Sequence, residues 1–279
     1  MELRARLQHH LTQVARDRDP YLATAGHFFV QQYIYQQLEQ WGQVSLQDFQ
    51  VQGMNLQNLI LDLPAATTAQ PSQPPILVGA HYDAVPGSPG ADDNATGVAV
   101  LLELARAFAQ APIRYPLRLI AFDLEEQGLA GSRHYAASLQ QEPVRLMLSL
   151  EMLGYCDRTP GSQQYPPGLE YFFPNQGNFI GLIGNLKTIP DLIYLSHHLR
   201  RAGVPCRWLP AGKRGMILPD TRRSDHAAFW DRGDRALMVT DTANLRNPHY
   251  HKPSDRLETL DLDFLTGVCR GLEMGIRCL

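Results

Sequence analysis

Residues able to do chemistry concentrate after apolar runs. PPILV leads into GAHYDAVPGSPGADDNATG, residues 79–97, which carries a histidine and several carboxylates. His81 and Asp92 are too far apart to share one helix face, so they meet only where the chain folds back. Glu125 and Glu126 follow LRLIAF, Glu151 closes VRLMLSLE, and a late histidine, His251, stands in NPHYHKPSD. Imidazole with carboxylate is the ligand chemistry of zinc, and three protein ligands plus water leave an open catalytic position.

Each residue has a plainer reading. A histidine at a strand end is commonly a hydrogen-bonded structural group. Asp92 and Asp93 in a Gly-containing loop commonly cap a turn or helix, with Asp93 or Asn94 as the N-cap. Position favours a metal. Glu125 and Glu126 follow a run apolar enough for a central strand, and Glu151 is flanked by apolar residues on both sides. Ionised carboxylates are costly to bury without a counter-charge, and Lys and Arg are scarce in these segments.

The elements that must hold these residues follow from hydrophobic pattern. Two helices are expected up to Gly42, packing on the core. LQDFQV and NLILDLP read as neighbouring strands, and the loop AATTAQPSQPP separates them from PILVGAHYD. A helix is expected after Asn94, then strand LRLIAFD, helix GLAGSRHYAASL and strand VRLMLSLEML. Further strands are expected at FIGLIGN, CRWLPA and ALMVTDT, with helices near 188–202, 225–231 and 261–276. The alternation predicts one α/β domain over residues 1–279, three layers deep, with a central mixed, mainly parallel sheet of about eight strands. Ligands bind such sheets beyond the carboxyl ends of the strands, where His81, Glu125, Glu126 and Glu151 all fall.

Composition narrows the function. Hydrophobic residues make up 44% of the 279, and 25 Lys and Arg stand against 28 Asp and Glu, a formal charge of -3. Without a basic block, a nucleic-acid or anionic-membrane partner is not expected. The polar start MELRARLQHH lacks a signal-peptide core, and no run approaches the roughly 18 apolar residues of a membrane span, so a cytoplasmic protein is expected. Cys156, Cys206, Cys269 and Cys278 lack short paired spacings, and reduced thiols are expected, the alternative being one disulfide near the C-terminus. His9, His10, His197 and His198 read as surface residues.

The ordered motifs HYD, GADDNATG, FDLEEQGLAGS, LEMLGY, SDHAAFW and HYHKPSD closely resemble the zinc aminopeptidases of peptidase family M28, over roughly residues 20–275. The resemblance implies a zinc-exopeptidase fold and two zinc ions. It implies His81 and Glu151 on one ion, Glu126 and His251 on the other, and Asp92 bridging, with a cis Asp92–Asp93 peptide. Many relatives have aspartate where Glu151 stands. Glu125 is similar to the family's general base, which requires a bend after Asp123 so that Glu125 and Glu126 do different work. Asp83 is similar to the carboxylate that orients His81. Asp225 and His226 match a motif near the substrate cleft, with helix capping as the alternative, and His249 and Tyr250 lie beside His251. Pocket residues are sought in 155–179 and 216–229.

The expected activity is hydrolysis of the N-terminal bond of peptides or small amides. The nearest alternative is a glutaminyl-peptide cyclotransferase with a single zinc, which shares the paired glutamates and a GSRH-like helix. A carboxypeptidase or amidohydrolase of the same clan is another, with Lys213, Arg222 and Arg223 available for a substrate carboxylate unless they are loop surface charges. A binding module without chemistry is the third.

Overall fold

The computed structural model describes residues 2–66 and 73–279, so the AATTAQPSQPP loop falls largely outside the described residues. Two helices, α1 (Leu3–Val14) and α2 (Thr24–Glu39), lead into strands β1 (Val44–Val51) and β2 (Met54–Leu63). Gln52 and Gly53 join these strands at φ 51° and 83°, the two positive values a type I′ hairpin turn requires. Next come β3 (Ile76–His81), α3 (Gly97–Gln110), β4 (Leu117–Phe122), α4 (Ala130–Ser138) and β5 (Leu146–Glu151). β6 (Ile180–Asn185), α5 (Ile189–Arg201), β7 (Cys206–Ala211), α6 (His226–Arg232), β8 (Ala236–Thr240) and α7 (Leu262–Arg277) complete the order.

The eight strands form one sheet in the order β1-β2-β4-β3-β5-β8-β6-β7. β4, β3, β5 and β8 run parallel, as do β6 and β7, while β1/β2, β2/β4 and β6/β8 are antiparallel. The central strands are apolar on both faces because each face meets helices. Their period-two alternation sorts side chains between two cores. Ile76, Val78 and Ala80 of β3, with Leu146, Leu148 and Leu150 of β5, join residues of α1, α2, α3, α5 and α7. Leu77 and Met147 face the other way, against Tyr135 of α4 and Phe229 and Trp230 of α6.

Gly79 faces that second core, where an added Cβ would lie 2.3 Å from the Phe122 ring. Only hydrogen fits at that crossing. The N-terminal helices share the first core through Leu7, Leu11, Val14, Val30, Ile34 and Leu38. All four cysteines are free, Cys206 and Cys269 being buried. His10 and His198 are buried rather than superficial; His10 Nδ1 is 2.7 Å from Tyr33 Oη. Among the described residues no helix is long and apolar enough to cross a membrane.

Candidate metal centre

Strand register delivers the candidate residues to one edge. His81 ends β3 and Glu151 ends β5, and these strands run parallel. After β4, the buried Asp123 accepts hydrogen bonds from Tyr82 Oη (2.7 Å) and from the backbone N–H of Leu124 (2.9 Å). Leu124 then turns at φ 55°, the bend that separates Glu125 from Glu126. Asp83 fixes the turn from the neighbouring strand: its two carboxylate oxygens accept the backbone N–H groups of Glu125 (3.0 Å) and Glu126 (3.2 Å). The same carboxylate lies 3.3 Å from His81 Nδ1. Asp83 thus aligns two ligand-bearing segments.

Two trios of donor atoms converge there: His81, Asp93 and Glu151, and Asp93, Glu126 and His251, the ligand atoms of each trio lying within 4.8 Å of one another. Asp93 belongs to both. Its Oδ1 lies 3.3 Å from His81 Nε2 and its Oδ2 lies 3.1 Å from His251 Nε2. Glu151 Oε1 stands 3.6 Å from His81 Nε2, and Glu126 Oε2 stands 3.2 Å from His251 Nε2. Ser224 Oγ donates to Glu151 Oε2 at 2.7 Å. Both ring nitrogens of His81 and Glu126 Oε1 are buried without a hydrogen-bond partner among the described residues. Neutral imidazoles and ionised carboxylates with open lone pairs fit divalent ions of the zinc type.

The expected bridging role of Asp92 is not met in this arrangement, because its side chain points away from the trios. Asp92 Oδ1 accepts from Gly154 N at 2.9 Å and Oδ2 accepts from Asn247 Nδ2 at 2.8 Å. The helical turn over Ala91–Thr96 breaks at Asp93 (φ −101°, ψ 88°) and Asn94 (φ −132°, ψ 39°), and this break sends the two adjacent aspartates in different directions. The cis peptide is likewise displaced by one residue, lying between Asp93 and Asn94. Of the two expected caps, Asn94 acts as one, its Oδ1 accepting the backbone N–H of Gly97 at the start of α3 (3.1 Å), whereas the Asp93 carboxylate faces the two histidines.

The charges are those of a site built around cations. Burial pushes the Glu125 carboxyl well above its usual range, with Glu151 and Glu126 adding to the rise. Burial and neighbouring Asp93 lift Glu126 to about 7. Burial opposes protonation of His251, yet contacts with Asp93 and Glu126 raise it to about 10. His81 is raised for the same kind of reason, by Glu125, Glu151 and Asp83 against its burial. Asp93 is depressed despite burial, because both histidines face it. Without ions, the cluster stores protons.

Several supporting residues carry no local signal in the sequence. Arg18 is fully buried, and among the described residues its guanidinium donates to backbone carbonyls, including those of Tyr82 (2.8 Å), Pro89 (2.6 Å), Gly90 (2.9 Å) and Asp93 (3.1 Å). Gly90 stands at φ 55° with room for no Cβ, since one would meet the Arg18 guanidinium at 2.8 Å. Asp255, inside the HYHKPSD motif, accepts the N–H groups of Asp92 (3.0 Å) and Asp93 (3.1 Å). Its spacing after His251 was the one available clue.

Other candidates separate clearly. Asp225 begins α6 without capping it; it is fully buried, and burial raises its carboxyl to about 7. His226 is also buried, within 2.8 Å of the Thr221 carbonyl, and burial depresses it to about 4. Tyr250 stacks on His251 with ring centroids 3.7 Å apart, whereas His249 Nδ1 contacts Ser254 at 3.0 Å. Beside Glu151 a cleft is walled by Ile183, Met238, Thr242, Leu245 and Tyr250. It shares Ile183, Thr242 and Leu245 with an apolar pocket formed by Tyr165, Leu169, Phe173, Phe179 and Leu218.

The sequence pattern of peptidase family M28 matches residues 58–181, the segment holding four of the five trio residues. The uncharacterized Escherichia coli protein YfbL is 35% identical over 245 residues, covering 82% of this chain and 73% of YfbL. The chain belongs to peptidase family M28. Aminopeptidase YwaD of Bacillus subtilis is 30% identical over 196 residues, and this M28 chain spans 38% of YwaD's length. Among solved structures, the Legionella pneumophila LapA aminopeptidase superposes with TM-score 0.73 at 20% identity, covering 99% of this chain and 71% of LapA. BSAP, a zinc aminopeptidase from Bacillus subtilis, gives 0.56 at 25% identity, over 80% of this chain and 50% of BSAP. Macrostomum lignano glutaminyl cyclase gives 0.74 at 18% identity, over 98% of this chain and 88% of the cyclase. LapA and the cyclase establish the fold and do not separate the two chemistries.

Proposed function

We propose that this chain is a zinc-dependent aminopeptidase that removes the N-terminal residue of peptides, holding two ions through His81, Asp93 and Glu151 and through Asp93, Glu126 and His251. The observation that carries this reading is the Asp93 carboxylate, each of whose oxygens faces a different histidine, 3.3 Å and 3.1 Å away. The chemistry such ions supply is Lewis acidity, which polarises a peptide carbonyl and lowers the pKa of water. Glu125, its backbone tied to Asp83 and its carboxyl raised by burial, takes the proton of the attacking water and returns it to the leaving amine. Asp83 holds the His81 ring and the Glu125–Glu126 turn together, so base and ligands keep one geometry.

Selectivity for a free N-terminus follows from charge. The carboxyls of Glu151 and Asp220 line the cleft, and an α-ammonium complements them where an internal peptide segment has nothing to offer. The apolar pocket around Tyr165, Phe173 and Leu218 accepts the first side chain.

A glutaminyl cyclotransferase is the second reading, favoured by the overlay with the flatworm cyclase. One experiment separates them: zinc per chain by elemental analysis, together with turnover of Leu-p-nitroanilide and of a peptide beginning with glutamine. Two zinc ions and release of nitroaniline support the peptidase. One zinc and pyroglutamate formation without hydrolysis overturn it.

A further inference from the structure

The three basic residues read as candidates for a substrate carboxylate have different surroundings. Arg222 is neutralised by Asp231, donating to both its oxygens at 2.8 Å and 2.7 Å. Lys213 lies in a short turn, among residues that do not wall the cleft beside Glu151. Arg223 does wall that cleft, together with Glu151, Asp220 and Tyr250. Its guanidinium donates to Tyr250 Oη at 3.0 Å and to Asn244 Oδ1 at 3.4 Å. Both partners are neutral, and among the described residues no carboxylate forms an ion pair with Arg223.

A guanidinium has five donors in a planar fork that matches a carboxylate. Two contacts with neutral groups leave part of that fork for a ligand. The contact with Tyr250 also fixes its place, because the Tyr250 ring stacks on His251. A cation is therefore held at a set position relative to a metal-ligand residue, the one basic group on the wall of a cleft lined otherwise by Glu151, Asp220 and neutral residues. A substrate carboxylate entering this cleft is repelled by Glu151 and Asp220 and attracted by Arg223.

We propose that Arg223 is a specificity-determining residue that receives a carboxylate of the substrate, from an acidic N-terminal side chain or from the C-terminus of a dipeptide. This rests on the aminopeptidase reading. The test compares selectivity ratios in wild type, Arg223→Gln and Arg223→Lys. One is kcat/KM for Leu-Gly over Leu-Gly amide, and the other is kcat/KM for Glu-p-nitroanilide over Leu-p-nitroanilide. Ratios within one preparation are independent of the fraction of folded enzyme.

Loss of a charge-assisted contact should lower one ratio about 10- to 100-fold in Arg223→Gln, with the lysine variant keeping part of it. A fall in the first ratio assigns the dipeptide carboxylate, and a fall in the second assigns the acidic side chain. If Arg223 only braces Tyr250, all four substrates slow alike and both ratios stay unchanged, which overturns the proposal. Wild-type protein that cleaves neither Leu-Gly nor Leu-p-nitroanilide overturns the aminopeptidase reading itself, a result distinct from unchanged ratios.

Discussion

Asp92 and Asp93 are neighbours with opposite surroundings: Asp92 meets Gly154 and Asn247, and Asp93 meets two histidines. The expected consequence is a split in metal content. Asp93→Asn should lose most bound zinc, whereas Asp92→Asn should retain it, as read by elemental analysis after gel filtration. Equal loss in both would refute the assignment. Glu125→Gln should keep its zinc while kcat falls about 10²- to 10⁴-fold, the usual scale for removing a general base. A Gln variant with wild-type turnover would place the base elsewhere. The sequence made residue types and neighbourhoods legible, because HYD, EE and LEM each close an apolar run. It could not resolve which of two adjacent aspartates turns inward, since that depends on backbone angles in a loop with no periodic pattern.

At the scale of elements, the centre is held by contacts between segments distant in the chain. Arg18 precedes α2 and grips the loop before α3, while Asp255 grips the same loop from beyond β8. Arg18→Met leaves those carbonyls buried without donors. Zinc affinity in that variant should drop at least about 10-fold, measured by competition with a chromophoric chelator, while far-UV circular dichroism stays native. Arg18→Lys should not restore it, because one ammonium cannot reach carbonyls on several sides of a planar fork. A lysine variant with full affinity would show that charge alone suffices. The strands were readable from period-two and fully apolar runs, LQDFQV and NLILDLP among them as neighbours. Arg18 was not, since either arginine of ARDRDP looks like any solvated charge until the fold closes over it.

For the whole molecule, proton storage at the centre sets how stability responds to pH and to metal. In metal-free protein, Glu126 and Asp255 stand at about 7, and His251 at about 10. Each exceeds its unfolded value, so the native state holds more protons than the unfolded chain between the two values. Stability from these groups is complete below that window and is lost as pH rises through it. His226, depressed to about 4, works oppositely, but only below about pH 6.5. Melting temperature of the metal-free protein should therefore decline from about pH 6.5 to about pH 9, with a flatter profile once zinc replaces the protons. A metal-free profile that rises over this range would contradict the account. Chelation at pH 7.5 should lower the melting temperature by about 5–10 °C and abolish turnover, both reversed by added zinc.

The reach of Arg18 has a practical corollary for anyone shortening this protein. Residues 58–181, which carry the family pattern, include neither that guanidinium nor His251. A fragment cut to those limits would keep His81, Asp93, Glu126 and Glu151 in its sequence, yet its Asp93 loop would have no clamp on either side. Trimming from the front is no safer, because deleting α1 strips Leu7, Leu11 and Val14 from the principal core and unseats the arginine that follows. The leading helices thus help to position the candidate metal centre, and a fragment meant to keep it should begin ahead of them.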